Sequence, residues 1–380
     1  FGAATHARFV TVALVLLAAD VLFDLLVAYL RATFRMRSIS MLLVVRGSMR
    51  FGLMLFALGP LALSFELAFE LLAAFQLVLV SAGFMVEYFR RSPRQPVSGG
   101  GVENTPVTWR TMIGFSAPLV LMSVLSSAHA YTDRFVITHQ LGLEATAVYA
   151  AVTTVVSVVS VAYTVLGFTL FPVLSRLWTQ GDQPQATELV AKVTGVFLFI
   201  ALPFVFWLVC MSARLIPLLT TGAYRAQADV VLMLGLAAVS FGLYQIVLYL
   251  LLLAGQGSRV VVIVLSATLV NAALNWLLVP RFGLSGAAAA AALSNALLAV
   301  IAYAWAWRCS KVRFPWAGAV RIAMGAMLAA LVSQMMAPWF ETMQWVGLML
   351  SLTVVYLVHG IVDVALPWSL IRAQPRRSAR

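Results

Sequence analysis

The sequence predicts an all-α, polytopic helical membrane protein. Three observations carry this. Hydrophobic residues make up 63% of the 380 and charged residues only 10%. Apolar runs of about 20 residues recur along the chain, the length that spans a bilayer as a helix. Lys and Arg gather in alternate loops. A soluble domain is about half apolar and a quarter charged. A chain with a mean hydropathy of +0.99 could not cover its surface with polar groups, so its solvent is lipid.

The 20-residue ruler gives about eleven transmembrane helices: 9–30, 39–60, 64–88, 111–133, 144–172, 188–210, 228–254, 258–280, 284–307, 316–337 and 343–366. A β-barrel is excluded, because barrel strands alternate over about 10 residues and these runs are apolar all round. Pro60, Pro118, Pro172, Pro203, Pro217, Pro280 and Pro367 fall near ends or kinks, as helices require. Cys210 and Cys309 sit in different apolar stretches without Cys or His neighbours, so neither a disulfide framework nor a metal site is expected.

The one long hydrophilic stretch, 89–110, holds Arg90, Arg91, Arg94 and the run Gly99-Gly100-Gly101, and reads as an aqueous connector. It divides a partial N-terminal bundle, 1–88, from a six-helix bundle, 111–308; an additional helix pair, 309–366, and a basic tail, 367–380, follow. Of the 25 Lys and Arg residues, eighteen fall in the loops on the connector's side, five in the opposite loops, and two, Arg46 and Arg50, inside a span. That asymmetry assigns the connector and the C-terminus to the cytoplasm. The net charge of +12 is therefore topological and implies no nucleic-acid partner. The first residue falls outside without a signal peptide, so an odd number of upstream helices is expected to be missing. Residues 29–37 and 251–259 begin a weak repeat, each followed by a span, a turn near a proline and another span.

Several motifs then occur in order. Residues 114–142 read GFSAPLVLMSVLSSAHAYTDRFVITHQLG, with Tyr149 in the next helix; FPVLSRLWTQGD closes that helix at 171–182. LLLAGQGSR (251–259) and NAALNWLLVPRFGLSGAAAAAALSN (271–295) follow. This order resembles the polysaccharide-export branch, O-antigen flippases included, of the multidrug/oligosaccharidyl-lipid/polysaccharide (MOP) superfamily. The resemblance implies a MATE-like architecture of two bundles, with 9–88 as helices four to six and 111–308 as helices seven to twelve. It implies a lipid-linked oligosaccharide as substrate, surrounding membrane lipids, a coupling proton or sodium ion, and a multi-pass location in the bacterial inner membrane. The nearer alternative is a cation-coupled multidrug extruder of the same fold.

Charges inside a span each need a reason, since one at mid-bilayer costs on the order of 3 kcal/mol on insertion scales. Asp20 and Asp24 lie four apart on the first helix, and Arg46 and Arg50 four apart on the second. Two antiparallel helices joined near residue 35 bring to equal depth residues whose numbers sum to about 70. The expected pairs are Asp20 with Arg50 and Asp24 with Arg46. Glu66 and Glu70 repeat the spacing on the third helix. Two readings stand: a structural clamp, or a water-filled cavity in which Arg46 and Arg50 bind a diphosphate, guanidinium forks matching phosphate geometry. Asp20 and Asp24 are also candidates for ion coupling. Asp133 and Arg134 are expected to end their helix at its outer face as a cap or gating ion pair, with His129 a turn earlier. Asn271 and Asn275 are expected to hydrogen-bond between helices, and His359 with Asp363 to pair in the last span. No phosphate-binding loop and no aqueous domain for a nucleotide appear. A secondary transporter is thus expected, and neither an enzyme nor a cofactor.

Overall fold

A computed structural model describes residues 3–32, 35–58, 64–89, 109–219 and 228–336. All elements among them are α-helices: α1 (Ala3–Ala32), α2 (Met36–Leu58), α3 (Phe65–Phe89), α4 (Trp109–Leu141), α5 (Leu143–Val156), α6 (Val158–Thr179), α7 (Gln183–Leu219), α8 (Ala228–Leu253), α9 (Gly257–Ser310) and α10 (Trp316–Met336). Seven are long and apolar enough to cross a membrane, and α9 counts twice because it folds back on itself. Ten of the eleven expected spans coincide with these helices. The eleventh, 343–366, lies outside the described residues, as do His359 and Asp363.

The chain divides into two compact units between Asn104 and Thr105, inside the hydrophilic stretch. In the first unit α3 packs against both α1 and α2. Its core is Phe23, Leu26, Val27, Leu30, Ile39 and Val80. Gly83 allows the approach of α1 to α3, since a Cβ there would stand 2.4 Å from Leu26 Cδ2. Leu26 of α1 meets Gly83 of α3, a register offset of 57 residues, and Phe23, Val27, Leu30 and Val80 share the core beside that contact. At the loop end, Arg35 bonds to the buried carboxylate of Glu87, tying the start of α2 to the end of α3.

The second unit is built on α8 and α9, with α4, α5, α6, α7 and α10 around them. The α9 hairpin turns at Gly283, whose φ of 59° lies in the left-handed region. Beyond it Gly286 faces the backbone of the first arm: a Cβ there would come 2.3 Å from the Leu278 carbonyl oxygen. The buried run Gly286, Ala287, Ala288, Ala290 and Ala291 continues that close packing.

Two boundaries differ from expectation. The span 144–172 is two helices, with a break at Ser157. The Thr153 and Thr154 hydroxyls donate back to the Ala150 carbonyl, and Ser157 Oγ to that of Thr154, competition that bends membrane helices. The helix then runs through Pro172 to Thr179. Helix α4 does not stop at residue 133; Phe135, Val136 and Ile137 carry it two turns further, to Leu141. The link to α10 is short, and α10 packs on α7 as part of the second unit.

Candidate functional site

In the first unit the charged side chains of α1 and α2 meet 11 to 15 residues from the loop that joins them, about 16–22 Å into the membrane at 1.5 Å per residue. Asp20 Oδ1 accepts hydrogen bonds from Arg50 Nη2 at 2.7 Å and from Arg46 Nη2 at 2.8 Å. Arg46 Nη1 also lies 3.9 Å from Asp24 Oδ1, and its Cζ stands 4.3 Å from the centroid of the Phe23 ring. Both depth-matched contacts are present, but the arrangement is not two stacked pairs. One carboxylate bridges two guanidiniums, and Asp24 is a loose outer partner with its side chain 78% exposed.

Spacing explains the convergence. Arg46 and Arg50 sit one helical turn apart on one face, within reach of a single acceptor between them. The triad of Asp20, Arg46 and Arg50 carries one net positive charge. Each guanidinium has five N–H donors. Among the described residues these contacts to Asp20 are their only hydrogen bonds. Most donors therefore remain open to an oxyanion.

Glu70 is half-buried on α3 and engaged in contacts of its own. The side chain of Glu66 lies outside the described residues. Sequence reasoning passed over Gln76, which is fully buried with neither amide atom hydrogen-bonded among the described residues. The α1–α3 register brings it to the depth of Ala19 and Asp20. An amide inside the run Leu71–Val80 was the available signal.

The second unit holds a different polar cluster. Asp133 is buried well inside α4, so the reading of it as a terminal cap is corrected. Its Oδ2 accepts from the Tyr149 hydroxyl of α5 at 2.8 Å and its Oδ1 from Asn275 Nδ2 of α9 at 2.7 Å. Asn271 Nδ2 donates across the hairpin to Ser294 Oγ at 3.0 Å. His129 Nε2 lies 2.8 Å from Asn295 Oδ1, while its Nδ1 is buried without a partner among the described residues. Both asparagines thus bridge helical segments. The Asp133–Arg134 ion pair is also corrected: adjacent residues on a helix point about 100° apart. Arg134 instead turns to Thr153 Oγ1 at 3.4 Å and to the Tyr131 ring at 5.4 Å. The cluster is a buried carboxylate held by one hydroxyl and one amide donor.

Helices of membrane-spanning length and the absence of other elements among the described residues define a multi-pass, all-α membrane protein. Residues 105–229, from just before α4 into the start of α8, match a family model described as polysaccharide biosynthesis protein. The structure is similar to that of the lipid II flippase MurJ in an inward closed conformation: TM-score 0.58, 12% identity, 86% of this chain and 67% of that one covered. No curated protein matches the chain. The resemblance to the flippase branch of the MOP superfamily rests on these two findings together with the motif order.

Proposed function

We propose that this protein moves a polyprenyl-diphosphate-linked oligosaccharide across the bacterial inner membrane, for assembly of a surface polysaccharide such as O-antigen or exopolysaccharide. The observation that carries the reading is the Asp20–Arg46–Arg50 triad, two arginines held at membrane depth by one shared carboxylate. A diphosphate must leave the headgroup layer and cross about 30 Å of hydrocarbon. Fixed cations with open N–H donors lower the barrier to moving that charge. Arg46 and Arg50 bind the phosphate oxygens, and Asp20 keeps both guanidiniums extended when no substrate is present. The lipid tail stays in the bilayer. Two units, each compact in itself, suit a carrier that works by rocking one bundle against the other.

Asp133 supplies the coupling group in this reading. Its carboxylate, flanked by Tyr149, Asn271 and Asn275, takes up a proton or sodium ion in one state and releases it in the other. The polysaccharide-biosynthesis match over 105–229 and the flippase fold support the substrate class. In a strain lacking the protein and any substitute flippase, lipid-linked precursor should accumulate in the cytoplasmic leaflet and surface glycan should fall. Normal glycan with raised drug susceptibility would instead favour a multidrug extruder.

A further inference from the structure

A cleft of about 660 Å³ opens at the end of the second unit where α9 gives way to α10, on the side the Lys/Arg asymmetry assigns to the cytoplasm. Its walls are apolar: Leu243 of α8, Ala299, Val300 and Ala304 of α9 and, at the mouth, Trp307 and Trp316. Along α9 it runs from Ala296 to Trp307. At 1.5 Å per residue that is about 16 Å, half the roughly 30 Å hydrocarbon thickness and so the depth of one leaflet. Val300, Trp307 and Trp316 are largely exposed, so the cleft opens toward lipid.

The rim is basic, and among the described residues no ion pair offsets its cations. Lys311 adopts φ 57° at the end of α9, which turns the chain so that Val312 is buried and Arg313 lines the cleft mouth. Tryptophan rings hold the neighbouring cations: Arg259 Cζ stands 4.8 Å and Arg308 Cζ 6.0 Å from the Trp305 ring centroid, and Lys311 Nζ 5.3 Å from that of Trp307. Residues 230–340 contain no Asp or Glu. Among the described residues no carboxylate lies within 4.0 Å of Arg259, Arg308, Lys311 or Arg313. The α9 C-terminal dipole accounts for Arg308 and Lys311. It does not account for Arg313, which lies beyond the helix at an apolar opening.

We propose that this cleft seats an anionic phospholipid of the adjacent leaflet, one acyl chain along the Ala299–Ala304 wall and its phosphate on Arg313, with Lys311 beside it. A one-leaflet apolar slot under a basic rim matches such a lipid in both length and charge. A polyprenyl tail, far longer than one leaflet, does not fit within it. The site is separate from the Asp20–Arg46–Arg50 triad, so it stands whether or not the proposed transport does.

The test uses the full chain, purified and stripped of lipid, then offered phosphatidylglycerol and phosphatidylcholine with the same acyl chains. Native mass spectrometry counts the lipid retained. One phosphatidylglycerol should be held with at least a tenfold preference. Arg313→Gln should cut that preference about fivefold. Ala304→Phe, which fills the cleft from an exposed position, should abolish retention of this lipid. Arg176→Gln, a basic residue elsewhere at the same end, should change nothing. Equal retention of the two lipids, or a preference untouched by Arg313→Gln, would overturn the proposal. So would retention of undecaprenyl phosphate but not of phosphatidylglycerol by the stripped protein, which would assign the cleft to the substrate tail. Should Ala304→Phe fail to fold, the exposed Arg313→Gln variant still decides.

Discussion

Asp20 and Arg50, thirty positions apart on antiparallel helices, meet through a 2.7 Å hydrogen bond at the same membrane depth, and Arg46 joins them on the same carboxylate oxygen. A shared acceptor makes the triad asymmetric. Loss of Asp20 leaves two facing guanidiniums without their common partner, whereas loss of either arginine leaves Asp20 still paired. Asp20→Ala should therefore destabilise the protein more than Arg46→Gln or Arg50→Gln, by about 1–3 kcal/mol given partial exposure. Denaturation in detergent micelles measures this. A double-mutant cycle should return a coupling above about 0.5 kcal/mol between Asp20 and each arginine. Equal costs with no coupling would mean that the triad does not hold the helices.

Asp133 accepts from Tyr149 and Asn275 at once, so shape-preserving and acceptor-removing changes should separate. Asp133→Leu strands two buried donors and should cost about 1–3 kcal/mol per stranded group. Asp133→Asn keeps an acceptor oxygen and should fold nearly as well, yet lose dependence of transport on the coupling ion. If Asp133→Asn transports with unchanged ion dependence, Asp133 is structural only.

Depth counting made the first site legible and left the second obscure. The rise of a helix and the short loop near residue 35 suffice to match Asp20 with Arg50. The swing of Arg46 from Asp24 toward Asp20 depends on side-chain reach, which spacing does not encode. Asp133 followed by Arg134 looks like a helix end because local hydropathy drops there. Its partners, Tyr149 and Asn275, come from elements 16 and 142 positions away, brought together by tertiary packing. The break at Ser157 was hidden for the opposite reason: a Val- and Thr-rich run is apolar enough to span, and hydroxyl back-bonding decides where it bends. Gln76 and Glu87 stood in apolar runs and went unmarked in the sequence reading, although the cost of burying a polar group was the signal available.

The α9 hairpin makes a prediction about backbone. Gly286→Ala would push a Cβ against the Leu278 carbonyl, a backbone atom that cannot swing aside, while Gly283 needs only its positive φ. Gly283→Ala should cost about 1–2 kcal/mol and Gly286→Ala more. Fluorescence-detected size exclusion of the two variants, heated in parallel, gives the order. Gly286→Ala as stable as the parent chain would contradict the packing of the arms.

Topology can be read from cysteine chemistry. Cys309 is exposed beside Lys311, at the end assigned to the cytoplasm. It should react with an impermeant thiol reagent only after cells are opened, and so should a cysteine at Ser98 in a background without Cys210 and Cys309. Labelling of either in intact cells would invert the assignment.

Phosphate handling by Arg46 and Arg50 is best measured with the purified full chain in vesicles carrying a fluorescent polyprenyl-diphosphate oligosaccharide in both leaflets. A membrane-impermeant quencher added outside reads the pool that crosses. The parent chain should expose the inner-leaflet pool, and Arg46→Gln or Arg50→Gln, with folding verified, should slow that exposure at least tenfold, while Arg176→Gln leaves it unchanged. Equal rates in the parent chain and both arginine variants would contradict a role for the triad in carrying the diphosphate, and no exposure above protein-free vesicles would contradict lipid flipping itself.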